Sequence, residues 1–294
     1  MPNTLIDLIG NTPLVASRVL NTNPNVTLFF KMEGHNPGGS VKDRAALNMI
    51  KSGIESGRIK TTDRLIEATS GNTGIALAMI AGVYGLDIEL VMPENATIER
   101  VQTMRAYGAK VTLTPADIGI EGARDYAEAK VVNDGFILLN QFANPDNWKA
   151  HYKTTGPEIW RDTNGSVTHF VSSMGTTGTI MGTSTFLKEQ NPKVQIVGVQ
   201  PTDESRIPGI RKWPKKYLPK IFDAKKVDTV MEVSENDARI MARRLAKEEG
   251  IFSGMSSGGA TTVALRLAEH LEKGVIVSII CDRGDRYLSS DLFN

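Results

Sequence analysis

The sequence has few of the residues from which disulfides and metal sites are built: one cysteine, Cys281, and four scattered histidines, His35, His151, His169 and His270. A single thiol forms no internal disulfide, and no set of ligands stands at zinc-site spacing. A reducing compartment fits this composition. No charge of either sign dominates: 34 basic residues face 33 acidic ones, a net charge of +1, so no broad field draws the chain to nucleic acid or to an anionic membrane. No uninterrupted apolar run is long enough to cross a bilayer, and Met1 to Pro13 has no basic segment followed by an apolar core. The expectation is a cytoplasmic protein with neither nucleic-acid nor membrane partners.

What is present is enough for a sizeable core. At 294 residues, 40% of them apolar, the chain can form one large domain or two ordinary ones. Short apolar or β-branched runs at Val26–Met32, Arg64–Ala68, Ile88–Met92, Val111–Leu113 and Phe136–Leu139 alternate with segments of helical length. That is the rhythm of a parallel α/β sheet. The first long helix is expected over Asp43–Ser56, where Ala46, Leu47, Ile50 and Ile54 recur at three- and four-residue spacing before Gly57. A second series follows: strands at Thr168–Ser172, Gln195–Val199, Asp228–Val233 and Val275–Cys281, with helices at Gly178–Glu189, Glu235–Glu249 and Gly259–Leu271. Nearly continuous apolar strands such as Ile276–Ile280 predict a sheet covered on both faces. The Pro- and Lys-containing stretch Asp203–Lys226 reads as a long loop, either functional or merely mobile.

Four strand-to-helix junctions carry candidate chemistry. Asn36-Pro37-Gly38-Gly39-Ser40-Val41-Lys42-Asp43-Arg44 delivers Lys42 to a helix start. The helix dipole there disfavours a cation and favours a neutral amine or an anionic partner. A solvated surface lysine is the plainer reading. Thr69-Ser70-Gly71-Asn72-Thr73-Gly74 can hold a carboxylate on hydroxyls and free amides, or be an ordinary cap made by Ser70 or Asn72. Gly175-Thr176-Thr177-Gly178-Thr179 can cradle a phosphate, or be a tight turn. It lacks the Gly-Lys-Ser/Thr ending of a nucleotide loop and the spaced glycines of a dinucleotide fold. Ser256-Ser257-Gly258-Gly259 reads as a cap before a helix beginning near Ala260, and Cys281 as a small buried apolar residue. Arg211-Lys212-Trp213-Pro214-Lys215-Lys216-Tyr217 mixes bases with aromatics; it reads as a solvated loop, unless one arginine turns inward to meet an anionic substrate.

Together these segments resemble the cysteine synthase family, the O-acetylserine sulfhydrylases, from Ile9-Gly10-Asn11-Thr12-Pro13-Leu14 to Gly284-Asp285-Arg286-Tyr287. The resemblance implies pyridoxal-phosphate fold type II, tryptophan synthase β-like: two three-layer α/β domains with mainly parallel sheets. Residues 35–145, with 1–12, would form a smaller mobile domain, and residues 146–294, with 13–34, a larger one carrying the cofactor phosphate. It implies Lys42 as the Schiff-base lysine and proton carrier. Gly175, Thr176, Thr177, Gly178 and Thr179 would hold the phosphate, Ser256 would face the pyridine nitrogen, and Asn72 would bond the phenolic oxygen. Thr69, Ser70, Asn72, Thr73 and Gln141 would grip the substrate carboxylate.

Two departures from the commoner family pattern resemble the cysteine synthase B branch: Thr177 in the phosphate loop, and Ile207-Pro208-Gly209-Ile210-Arg211. That branch also takes thiosulfate and makes S-sulfocysteine, which makes Arg211 the candidate contact for the second nucleophile. The resemblance implies replacement of the acetoxy group of O-acetyl-L-serine by sulfide or thiosulfate, in a homodimer. Serine or threonine dehydration and condensation with homocysteine are the alternatives within the same fold type.

Overall fold

The computed structural model describes residues 4–69 and 71–294. Among the described residues ten strands follow in chain order: β1 (Leu14–Ala16), β2 (Val26–Met32), β3 (Arg64–Ala68), β4 (Asp87–Pro93), β5 (Lys110–Thr114), β6 (Ile137–Leu138), β7 (His169–Ser173), β8 (Gln195–Pro201), β9 (Thr229–Val233) and β10 (Gly274–Ile280). They make two sheets, one of six strands in the order β1-β2-β10-β7-β8-β9 and one of four in the order β5-β4-β3-β6. Every pairing is parallel except β1 against β2. This is the mainly parallel α/β plan that the strand rhythm predicts. The short edge strand β1 was not legible in the sequence, because two of its three residues face solvent and only its pairing with β2 defines it.

The α-helices are α1 (Lys42–Glu55), α2 (Asn72–Tyr84), α3 (Ile98–Ala106), α4 (Gly119–Asp134), α5 (Pro145–Lys153), α6 (Thr155–Asp162), α7 (Gly178–Gln190), α8 (Glu235–Arg244) and α9 (Met255–His270). Helix α2 buries every residue from Thr73 to Ala81, so it is apolar all round rather than amphipathic. Its Ile75, Leu77 and Ile80 pack with Met49 and Ile50 of α1 and with Leu65 and Leu90 of the smaller sheet. In the larger sheet, β10 lies between β2 and β7, and Ile276, Val277 and Ile279 are fully buried.

Two helix expectations are corrected. Helix α9 starts at Met255, not near Ala260, so Ser256 and Ser257 lie inside its first turn. The Ser257 hydroxyl accepts the Cys281 amide at the end of β10 (2.9 Å) instead of capping its own helix. A tertiary partner has displaced the local cap. Helix α8 ends at Arg244 and continues to Glu249 as a π-helical turn. That turn carries the Glu249 carboxylate to residues 17–20, where it accepts the Ser17 hydroxyl (2.6 Å) and the amides of Arg18, Val19 and Leu20 (2.9–3.1 Å).

A buried ionic network ties β2, α1 and α6 together. Arg44 donates to Glu33 (2.6 and 2.7 Å) and to Glu158 (2.6 and 2.7 Å), and Lys31 pairs with Glu158 at 2.7 Å. Desolvation opposes ionisation of Glu158, yet the bonds and charge of Arg44, with Lys31, hold its carboxyl down at about 2.

Candidate active site

In parallel α/β sheets, ligands bind beyond the carboxyl ends of the strands, where loops meet helix N-termini. Here the loops after β2, β3, β6, β7 and β10 converge on one cavity, whose walls include Lys42, Asn72, Gln141, Thr177, Ser256 and Cys281.

The lysine loop is registered by the end of β10. Ser40 bridges to Asp282, and the Val41 amide donates to the Cys281 carbonyl (2.8 Å). Lys42 is therefore the first residue of α1 and half-buried. Desolvation pulls its ammonium pKa down, opposed by the nearby Cys281, Asp282 and Glu33. The next residue, Asp43, is buried and accepts the Gly38 amide (2.5 Å); desolvation pushes its carboxyl up to about 7.

In the loop after β3, the cap is made by Thr69. Its hydroxyl accepts the amides of Gly71 (3.1 Å) and Gly74 (3.0 Å), while Ser70 lies outside the described residues. Thr69 is buried and does not line the cavity, whereas Asn72 and Thr73 do. Thr73 donates to Gln141 Oε1 (2.8 Å), and Gln141 Nε2 donates to the Ala68 carbonyl (2.8 Å), so Gln141 is locked against this loop. Beneath it the buried Glu67 accepts the Asn140 amide (2.6 Å), and desolvation pushes the Glu67 carboxyl up to about 8.

The loop after β7 leads into α7. Thr177 has φ +69°, a left-handed conformation rare for a β-branched residue, and its buried Oγ1 has no partner among the described residues. A Cβ on Gly178 would collide with the Asn147 side-chain amide, so only glycine fits there. Asn147 donates to Thr176 Oγ1 (3.1 Å), and the buried His151 lies behind Thr179, with 3.4 Å between Nε2 and Oγ1. Desolvation lowers the His151 imidazole to about 3, so it is a neutral prop. Gly178 itself stands behind the cavity wall, while Gly175, Thr176, Thr177 and Thr179 line it.

Ser256 faces the same cavity, and its carbonyl accepts the Ser173 hydroxyl (2.7 Å). Cys281 is half-buried and part of the wall, not a core residue, a correction to its sequence reading. Desolvation raises its thiol to about 11, although the nearby Lys42 acts to lower it. The 203–226 segment packs over the 175–179 loop: Trp213 Nε1 donates to the Gly175 carbonyl (2.8 Å), and Trp213 meets Phe142 edge-on at 5.4 Å. Arg211 lines the cavity and is exposed, its guanidinium 5.9 Å from the Trp213 ring centre.

The donor set fits pyridoxal phosphate. The unpartnered Thr177 hydroxyl stands in a loop that opens a helix, as a phosphate requires, and a desolvated amine suits attachment to an aldehyde. Sequence reasoning missed Asp282 and Arg286, which bind both ends of the Asn72 amide from the other side of the chain.

The family model described as pyridoxal-phosphate dependent enzyme matches residues 5–282. The chain is 57% identical over 291 residues to cysteine synthase B of Pseudomonas aeruginosa, covering 99% of this chain and 97% of that protein. It is 55% identical to cysteine synthase B of Escherichia coli, covering 99% and 96%. Among solved structures, it superposes on O-ureido-L-serine synthase with a TM-score of 0.94 at 36% identity, covering 100% of this chain and 95% of the other. A cysteine synthase of Entamoeba histolytica gives 0.93 at 36% identity, covering 100% and 91%. No helix among the described residues is long and apolar enough to cross a membrane. The chain belongs to the pyridoxal-phosphate dependent enzymes of fold type II, and within them to the cysteine synthase family, on its B-type branch.

Proposed function

We propose that the protein makes L-cysteine by replacing the acetoxy group of O-acetyl-L-serine with sulfide, and that thiosulfate serves as a second nucleophile, giving S-sulfocysteine. The observation that carries this reading is the meeting of the desolvated Lys42 with the 175–179 loop and Ser256 in one cavity. Bound pyridoxal phosphate supplies the electron sink that makes the substrate Cα–H acidic. Lys42 anchors the cofactor, takes the α-proton, and returns it after acetate has left and sulfur has bonded to Cβ. An amine that is to take up a proton at neutral pH needs its pKa lowered, which is the direction burial imposes on Lys42.

Gly175 to Thr179 hold the phosphate through backbone N–H groups and hydroxyls, with Thr177 among the donors. Ser256 meets the ring nitrogen; a neutral hydroxyl does not keep that nitrogen protonated as a carboxylate would, which favours loss of a β-leaving group over transamination. Asn72, Thr73 and Gln141 grip the substrate carboxylate, with Thr69 holding their loop from behind. Arg211 meets the sulfonate end of thiosulfate. We further propose that residues 35–145, with the described part of 1–12, move as a unit to close the site and exclude water, and that the enzyme is a cytoplasmic homodimer.

The test is an absorbance titration of the purified holoenzyme with O-acetyl-L-serine, followed by sulfide, thiosulfate or homocysteine in turn. Formation of cysteine and S-sulfocysteine is expected. Release of pyruvate without incorporation of a nucleophile would reject the reading.

A further inference from the structure

Asn72 is held at both ends by residues from the far end of the chain. Its Nδ2 donates to Asp282 Oδ2 (2.6 Å), and its Oδ1 accepts from Arg286 Nη1 (2.8 Å). A carboxylate only accepts and a guanidinium only donates, so just one of the two amide orientations satisfies both neighbours. The neighbours are themselves fixed. Asp282 is buried and also accepts the Tyr287 hydroxyl (2.6 Å) and the Gly254 amide (3.2 Å). Arg286 is buried and donates as well to the Gly38 carbonyl of the lysine loop.

The amide nitrogen of an asparagine carries two hydrogens. Asp282 takes one, and Asn72 lines the cavity, so the polar function it has left for a ligand on its nitrogen is a donor. An unclamped amide could turn and offer either end.

We infer that Asp282 and Arg286 are positioning residues that hold Asn72 as a hydrogen-bond donor toward the cavity, selecting an oxygen acceptor on the bound cofactor or amino acid. The inference rests on the proposal above that Asn72 touches those ligands. The Arg286 guanidinium on the amide oxygen draws electron density away from the nitrogen, which favours the remaining N–H as a donor. Through the Gly38 carbonyl the same arginine ties this orientation to the loop that carries Lys42.

The test is a double-mutant cycle on the holoenzyme, with Asn72→Ala, Asp282→Asn and their combination, and with Arg286→Lys alongside. The probe is L-alanine, which has no β-leaving group, and its half-saturation is read from the visible absorbance of the bound cofactor; thermal melts establish that each variant is folded. Asp282→Asn keeps the shape of the side chain but can both donate and accept, so it removes the charged acceptor and one of the two constraints on the amide, leaving Arg286 alone to orient it. It is expected to raise the half-saturation about 10-fold to 100-fold, the scale of one charge-assisted hydrogen bond. Adding it to Asn72→Ala should then change nothing further, because it acts through Asn72. Arg286→Ala, made alongside, should weaken L-alanine as Asp282→Asn does, and Arg286→Lys, which keeps the charge, should lie between it and wild type.

If Asp282→Asn weakens L-alanine equally with and without the Asn72 side chain, the clamp is refuted and the proposed site stands. If Asn72→Ala leaves L-alanine binding unchanged, the ligand role of Asn72 and the clamp both fail. If Asp282→Asn does not yield folded protein, the same cycle run with Arg286→Lys decides the question by the same criterion.

Discussion

The Val41 amide and the Cys281 carbonyl are joined by a hydrogen bond of 2.8 Å, so the residue before Lys42 is pinned to the end of the central strand of the larger sheet. Strand β10 is paired on both sides and buried, which makes it a stiff reference for the side chain proposed above to move a proton. Helix α1, which begins with Lys42, packs Ala46, Met49 and Ile50 into the smaller sheet's core. The lysine thus stands where both halves of the molecule meet.

Lys42→Ala is expected to leave the fold intact, since that side chain lines the cavity and belongs to no apolar core. The variant should lose covalent attachment of the cofactor, and turnover should fall at least about 1,000-fold, within the range ascribed to a positioned acid–base group. Absorbance of the purified protein, steady-state rates and a thermal melt check the three parts separately.

Arg211→Ala is expected to cost more with thiosulfate than with sulfide. Only thiosulfate brings a bulky sulfonate for the guanidinium to bind, and one charge-assisted hydrogen bond is worth about 10-fold to 100-fold. Ratios of kcat/KM for the two nucleophiles check this; equal losses would remove Arg211 from the nucleophile site.

Glu67→Gln addresses pH. In the folded protein Glu67 keeps its proton up to about pH 8, whereas its ordinary value is 4.5. Between those values the native state binds more protons than the unfolded one, so this group's contribution to stability falls as pH rises through the window. Glutamine does not titrate, and its carbonyl can still accept the Asn140 amide. The variant should therefore gain on wild type by a few kcal/mol between pH 5 and pH 9. Urea unfolding at the two pH values measures the difference.

Glu158→Gln should destabilise the protein by about 3–5 kcal/mol at neutral pH, because buried Arg44 would keep only the Glu33 carboxylate and buried Lys31 only that of Asp162, 3.6 Å away. The Glu158 contribution is present above its ordinary value of 4.5 and is lost as pH falls toward about 2. The gap between variant and wild type should accordingly narrow in acid, as followed by denaturant midpoints.

Local signals were legible and remote ones were not. β2 and β3 were read with the bounds they have, because their apolar runs end at turn-forming residues. The 175–179 loop was readable because glycine and threonine stand between a strand and a helix. Thr69 as the cap, and Ser257 as a partner of β10, were not readable: serine, threonine and asparagine at neighbouring positions give the same local signal, and tertiary contacts choose among them. Asp282 and Arg286 escaped for a different reason. They lie 210 and 214 residues from the asparagine they hold, and nothing in either segment alone encodes the meeting.

The Glu249 carboxylate, seated on the amides of Arg18, Val19 and Leu20, has a consequence for stoichiometry. Three convergent N–H groups with a hydroxyl are as good an anion receptor as many phosphate loops, yet this receptor is saturated by the chain's own side chain. It therefore competes for no solute anion, and the protein should take up one phosphate group per chain rather than two. Removing that carboxylate would turn an internal tie into a second anion site, and the protein's stability would then depend on the buffer.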